Sequence, residues 1–538
     1  MKPTILIIVL LCSIYFQNNH LAQPVLEWSA TYTGQSNNSR AVEIVISDSG
    51  NIYIGANSSG SIMLKYSPDG NLLWGRHNAD GSFVRAIAVD RWGNAVATGI
   101  HFDAFDNHNF YTIKYANSNG HTIWANEVEP LWIPNFDEGW DVAVDSTGNA
   151  YVTGFVFSGI PPNGTGGDWM TIAYQPLGVE LWRSQYNGTN NTGDGSYSIA
   201  VTPGGIAYYA GETSIEGVNG ASLRIVKKNI YGSGWSRIYT LGPTTDLLFT
   251  VSIKITEDED VYVTAHTGHS DEKDVYLIKH DSNGNHEWTR TYNGPDDLED
   301  YPVDLAVDNE GNVIVLCFSQ DSSNRRSMAT LKYSPEGDTI WMKRHHFPGS
   351  FEPKALAVDS ENNVYALDQY NIIKYNSNGN EQWVESSSAG SSVDIALDNQ
   401  NNIYVTGYAG IDIVTVKYSQ VTGINDPGTS NLPTKFSLLQ NYPNPFNPST
   451  KIRYTIPSVG AYRNTPVQLK VYDVLGNEVA TLVNEEKPAG EYEVEFSGHS
   501  DEGQNLSSGV YFYQLRVTGP EINSGQGIIQ TKKMLMIK

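Results

Sequence analysis

Apolar and polar residues alternate along most of the chain in short runs broken by Gly and Asn, which is the period of strands and not of helices. The clearest runs repeat: AIAVDRWGNAVATG (Ala86–Gly99), DVAVDSTGNAYVTG (Asp141–Gly154), DLAVDNEGNVIVLC (Asp304–Cys317) and DIALDNQNNIYVTG (Asp394–Gly407). Aligned at the Asp of AVD, eight units place Ser47, Asp90, Asp145, Thr202, Thr256, Asp308, Asp359 and Asp398 at one position, at intervals of 39 to 57 residues. Each unit predicts a hairpin around this turn, a third strand ending in Lys-Tyr, and a fourth strand bearing Trp four residues after a second turn Gly, as in Gly70/Trp74, Gly120/Trp124 and Gly337/Trp341. Gly three residues beyond the aligned position, or Asn at 362 and 401, suits a left-handed turn; Glu259 breaks the pattern and predicts a fifth turn built differently. One Trp per unit at a fixed place is expected to pack between neighbouring units.

The last unit stops at Lys417-Tyr418 without its Trp strand, while an orphan copy, LEWSATYTG (Leu26–Gly34), stands near the N-terminus. A ring that closes by lending this strand to the last unit leaves no sheet edge open. The predicted fold class is therefore all-β: an eight-bladed β-propeller over residues 23–419, closed by an N-terminal strand. Its AVDxxGNxYVTG and KYxxxGxxxW segments resemble the bacterial SBBP-type propeller repeat, which implies the fold and no particular activity.

Ahead of the repeat, Lys2 and the apolar run Ile5–Phe16 have the anatomy of a signal peptide ending near Ala22. Cys12 lies within this run, so Cys317 is the single cysteine expected in the mature chain and no internal disulfide is expected. Residues 420–435 are rich in Gly, Pro, Ser and Thr and read as a linker. Residues 436–538 carry strand-like runs separated by Gly and Pro, the pattern of a small immunoglobulin-like β-sandwich. In this segment LLQNYPNPFNPST (Leu438–Thr450), VYDVLGNEVATLV (Val471–Val483), LSSGVYFYQL (Leu506–Leu515) and KKMLMIK (Lys532–Lys538) closely resemble the C-terminal sorting domain of the type IX secretion system of Bacteroidota and their relatives. The resemblance rests on Asn441, Tyr442, Pro443, Asn444, Pro445, Phe446, Asn447, Pro448, Gly509, Lys532 and Lys533. It implies recognition by the secretion machinery at the outer membrane and a secreted or surface-attached protein.

Lys and Arg number 34 against 59 Asp and Glu, a net charge of −25, which argues against a nucleic acid or an anionic membrane as partner. After residue 22 no apolar run is long enough for a transmembrane helix. The sequence lacks H-E-x-x-H, G-x-S-x-G, C-x-x-C and phosphate-loop motifs, so no catalytic residue, metal ligand or cofactor is assigned. His266/His269 and His345/His346 lack a third ligand in sequence, and Asp281–Glu287 has its Gly where a hairpin needs it and not where a calcium loop does.

The expected role is that of a non-catalytic recognition or adhesion protein, acting as a monomer on a glycan or other surface polymer. The alternative is a propeller enzyme. The Gly-x-x-x-Trp strand is similar to the tryptophan-docking repeat of eight-bladed quinoprotein dehydrogenases, which commonly carry a disulfide of adjacent cysteines that this chain cannot form; a glycan-cleaving enzyme is the second enzyme possibility. Strand parity puts the AVD and Gly-x-x-x-Trp turns on one uniform face and the variable loops on the other, where function concentrates. There Trp132, Phe136, Asp137, Glu138, Trp140, Asp168 and Trp169 are candidates for an aromatic and acidic sugar platform; the other reading is that they pack a long insertion.

Overall fold

Every AVD segment folds as the hairpin its alternation predicts, and the turn is the same in all eight units. The residue at the aligned position accepts the N–H three residues on and donates its own N–H to the carbonyl four residues on, as in Asp90 with Gly93 and Asn94. Glu259 does not change this: Glu259 donates to the Thr256 carbonyl at 3.0 Å with φ 64°, so the fifth turn has the common backbone with a non-glycine in its left-handed place. The expectation of a different turn is corrected, and the reason is a compensating contact. Blade 4 has Thr202 where five blades have Asp, and its Lys227 and Tyr208 reach across to the Glu259 carboxylate at 2.7 and 2.6 Å. In blades 2 and 6, which have the Asp, the strand-three Lys of the same blade pairs with it, Lys114–Asp90 at 2.9 Å and Lys332–Asp308 at 2.7 Å, both pairs buried.

The computed structural model describes residues 23–537 apart from short stretches, the longest being 129–135, 158–165, 241–249, 421–436, 457–464, 499–505 and 518–527. The predicted signal peptide, almost all of the predicted linker, and Trp132, Tyr442 and Pro443 lie outside the described residues. The chain divides into two compact units, one up to Thr422 and the other from Gly423.

The first unit is an eight-bladed propeller of four-stranded antiparallel sheets. Seven blades are continuous in sequence; the eighth pairs Ser391–Leu397, Ile403–Ala409 and Asp412–Ser419 with the N-terminal strand Val25–Thr33, in register Thr31↔Val414. The first strands of successive blades abut one another around a central channel. The blade faces bury separate apolar clusters, such as Val96, Phe110, Trp124, Val152 and Ile172 between blades 2 and 3.

Each repeat Trp crosses to the next blade. Trp74 Nε1 donates to the Asn117 carbonyl (2.9 Å), Trp124 to Pro176 (3.0 Å) and Trp288 to Pro335 (2.9 Å), in each case at the second turn of the following blade. The indole lies on the turn glycine itself: a methyl group on Gly120 would stand 2.6 Å from Trp74, and one on Gly178 2.6 Å from Trp124. Gly at this turn thus answers two demands, a positive φ and a close approach by the neighbouring indole.

The second unit is a β-sandwich. One sheet pairs Ser437–Leu438, Ser449–Ile456 and Gly490–Ser497; the other orders Glu478–Lys487, Thr465–Tyr472, Gly509–Val517 and Ile528–Met536. Alternate residues from both sheets, among them Ile452, Tyr454, Leu469, Val471, Tyr513 and Met534, form its core. The sequence segments singled out above meet here. Phe446 is buried and brackets the last strand, donating to the Leu535 carbonyl and accepting from the Ile537 N–H, both at 3.0 Å, while Asn444 Oδ1 accepts the Leu535 N–H at 2.9 Å. Asn441 donates its N–H to the Tyr513 hydroxyl at 2.8 Å. Gly509 opens the strand Gly509–Val517, and Lys532 and Lys533 lie on Ile528–Met536.

Candidate functional site on the variable face

All eight first strands carry a β-bulge at the same place, just before the position of the first Asp of the DxAxD repeat; the register shifts at Val42, Arg85, Trp140, Tyr197, Val251, Val303, Lys354 and Val393. A bulge leaves one residue out of the ladder and re-aims its side chain. These strands are the innermost of each blade and start on the variable face, so the eight bulge positions form a ring toward that face. Four are Val. Blades 2, 3 and 4 instead supply Arg85, Trp140 and Tyr197, which touch in sequence around the ring.

The Arg85 guanidinium stands 4.9 Å from the Trp140 ring centre, and Trp140 meets Tyr197 edge-on at 5.4 Å. Arg85 also pairs with Glu138 at 3.1 Å, and His108 approaches the same carboxylate at 3.8 Å. His108 packs edge-on against Phe136 at 4.7 Å, and Phe136 against Phe157 at 6.2 Å; Phe136 is 51% and Phe157 37% exposed. The Tyr197 hydroxyl donates to Glu212. Burial, then the nearby charge of Asp194, pushes the Glu212 carboxyl up to about 7, and burial followed by the Glu212 charge raises the Tyr197 phenol. The variable face over blades 2 to 4 therefore joins exposed aromatic edges to an arginine and the Glu138 carboxylate, with the buried Glu212 carboxyl reached through the Tyr197 hydroxyl.

The sequence-derived candidates separate into two groups here. Phe136, Glu138 and Trp140 belong to this cluster. Trp169 does not: it lies in the third strand of blade 3 (Gly167–Tyr174), 1% exposed, packed against Tyr186 and Tyr209, with its Nε1 donating to the Glu212 carbonyl. Asp168 is buried and accepts from Gln185 at 2.9 Å, and buried Asp137 accepts the Phe157 N–H at 2.6 Å. These three hold the blade together and present no surface to a ligand, so the packing reading applies to them. Trp92, on the opposite face, rests over Gly148 of the next blade.

Arg85, His108, Tyr197 and Glu212 were not singled out from sequence. The available signal was the residue before the first position of DxAxD, which is large in blades 2 to 4 and Val in most others. Among the described residues no group of three His, Cys, Asp or Glu is disposed to hold a metal ion.

Residues 461–521 match the FlgD Ig-like domain family. Over 174 residues the chain is 28% identical to an uncharacterized WD repeat-containing protein of Acanthamoeba polyphaga mimivirus, a match covering 32% of this chain and only 11% of the viral protein. Among solved structures, the chain resembles quinohemoprotein alcohol dehydrogenase from Comamonas testosteroni (TM-score 0.49, 10% identity, covering 78% of this chain and 79% of that one). It also resembles the WD40 β-propeller domain of Doa1 (TM-score 0.38, 8% identity, covering 74% of this chain and 98% of that one). The protein is a β-propeller with a C-terminal Ig-like domain.

Proposed function

We propose that this chain is a secreted or cell-surface recognition protein that engages a glycan at the channel mouth over blades 2 to 4, and that its C-terminal domain is the address read by the type IX secretion machinery. The observation carrying the ligand reading is the unequal bulge ring: at equivalent positions three neighbouring blades supply Arg85, Trp140 and Tyr197 in mutual contact. Aromatic edges stack on the apolar face of a sugar ring, while Arg85 and Glu138 offer a donor and an acceptor for its hydroxyls. The export reading is supported by the N-terminal segment with Lys2 and its apolar run, and by the way the sorting-type segments join in one sandwich through Phe446, Asn444 and Tyr513.

The test is a glycan-array screen of the propeller, followed by calorimetry on each hit with the parent and Trp140→Ala. Stacking interactions of this kind predict a loss of about tenfold or more in affinity, measured well below the melting temperature of a variant that still unfolds cooperatively. Full retention of glycan binding by a folded Trp140→Ala protein would remove the site from consideration.

A further inference from the structure

One step further along each first strand, toward the turn face, a second ring lines the channel. Its eight positions hold Glu43, Ala86, Asp141, Ser198, Ser252, Asp304, Ala355 and Asp394. The four acids do not point idly into the channel, because each carboxylate accepts a backbone N–H from the next blade. Asp394 takes Ile44 of blade 1 (2.9 Å), Glu43 takes Ile87 of blade 2 (2.7 Å), Asp141 takes Ile199 of blade 4 (2.8 Å) and Asp304 takes Leu356 of blade 7 (2.9 Å). Ser198 continues the series, donating to Asp141 at 3.0 Å and accepting from Ile253 of blade 5 at 3.3 Å. Asp141, Asp304 and Asp394 also accept the N–H of the residue that follows them in the chain, at 2.7 to 2.8 Å.

Adjacent blades are thus stapled at the channel wall by groups of one charge. We infer that this ring is a proton-linked brace: protons bound at the channel wall relieve repulsion among the staples and tighten the propeller, and their loss loosens it.

The charged surroundings are well defined. Lys254, on the first strand of blade 5, lies within electrostatic reach of all four acids, and the equivalent positions of the other blades hold only Val or Ala. The other ionisable groups of the first strands lie toward the variable face and are engaged there: Arg40 over Tyr408, Arg85 with Glu138, Lys354 with Glu352, Asp300 with the Gly294 N–H, Tyr197 with Glu212 and Tyr301 stacked on Phe318. The second strands, which back the ring, carry His101, Glu212, His266, His269 and Asp368 at their variable-face ends, the buried Cys317 in blade 6, and Tyr residues elsewhere. One lysine therefore faces four carboxylates. Burial is the chief cause that raises all four, joined by mutual repulsion between Glu43 and both Asp394 and Asp141, and between Asp394 and Asp304; Asp394 is pushed up to about 7.

The sign of the linkage follows. A carboxyl that titrates higher in the folded than in the unfolded chain binds more protons when folded, so stability is greatest below the unfolded value near pH 4 and falls as pH rises through the folded value near 7. Other groups add their own slopes; buried His266 and His280, lowered to about 4, act in the opposite sense. The experiment is therefore a comparison, with melting temperatures of the full chain taken from about pH 5 to pH 8 for the parent, Asp394→Asn and Lys254→Met. The parent is expected to lose on the order of 2 °C across this range through the ring. Asp394→Asn should flatten that dependence, and Lys254→Met, which keeps every staple but removes the counter-charge, should steepen it. If Asp394→Asn does not fold, Lys254→Met decides alone. Curves parallel to the parent for each variant that folds would overturn the brace.

Discussion

The indole Nε1 of Trp28 donates to the carbonyl of Pro68 at 3.0 Å, joining the first strand of the chain to the second turn of blade 1. The same strand pairs with Asp412–Ser419 of blade 8, and Lys417 reaches Glu27 at 2.8 Å. Residues at opposite ends of the repeat thus meet at a single seam, and Trp28 makes there the contact that Trp74, Trp124 and Trp288 make within the ring. Removing Leu26–Gly34 is expected to open blade 8 and expose the Asp412–Ser419 edge, seen as a lower melting temperature and as aggregation. The half-buried Trp28 gives a milder test: Trp28→Ala should cost about 2 kcal/mol by chemical denaturation. A closing strand that contributes nothing would leave both proteins as stable as the parent.

Two glycines separate backbone strain from packing. Gly120 has φ 68° and carries the Trp74 indole, whereas Gly410 has φ 64° and nothing within 4 Å of an added methyl group. Gly410→Ala should cost only the left-handed backbone penalty, about 1 kcal/mol. Gly120→Ala should cost about 1 to 3 kcal/mol more, because the indole and its bond to Asn117 must shift. Equal losses in urea unfolding would show that the indole does not require the glycine.

Glu259 supplies a contact that blade 4 lacks. Burial opposes its charge, but the hydrogen bonds from Lys227 and Tyr208 outweigh this and hold its carboxyl below the usual range. A carboxyl lowered by folding stabilises above its unfolded value near pH 4.3, and that contribution is lost as pH falls through the folded value. Glu259→Asn keeps a residue that tolerates positive φ and removes the carboxylate. Since the pair is partly exposed, the expected loss at neutral pH is modest, on the order of 1 kcal/mol, and it should shrink as pH falls below about 4. A loss independent of pH would assign the effect to the turn backbone.

Much of this architecture is legible in the sequence because the blades repeat the same local elements: the left-handed turn after the AVD position, the Lys-Tyr end of the third strand in most blades, and the Trp that crosses to the next turn. Ring closure is legible because the missing Trp strand and the orphan strand are complementary. The site is far less so. Arg85, Trp140 and Tyr197 are about 55 residues apart from one to the next and meet only because the repeat places their bulges side by side, which is tertiary geometry. Trp169 illustrates the opposite error. The stretch before it reads as a loop, GTGGDW, yet the third strand already begins at Gly167, and its pleat turns the indole into the blade interface. The first Asp of DxAxD was visible in the repeat, but its partner is a main-chain N–H in the following blade, which no residue pattern announces.

The sandwich should fail independently of the propeller. Phe446 is 1% exposed, packs on Phe496 at 5.9 Å, and its backbone forms two hydrogen bonds with the terminal strand, so its loop and Ile528–Met536 stand or fall together. Truncating a buried aromatic of this kind typically costs about 3 to 5 kcal/mol, a large part of what so small a domain possesses. Because the chain divides at Thr422 into two compact units, Phe446→Ala is expected to lower or abolish one thermal transition and leave the propeller transition in place. In a host with the type IX system the same substitution, like truncation after Ser430, should leave a folded propeller in the periplasm, followed by cell fractionation and limited proteolysis. Efficient release of either protein into the medium would show that the C-terminal domain is not the export address, and loss of both thermal transitions together would show that the two units fold as one.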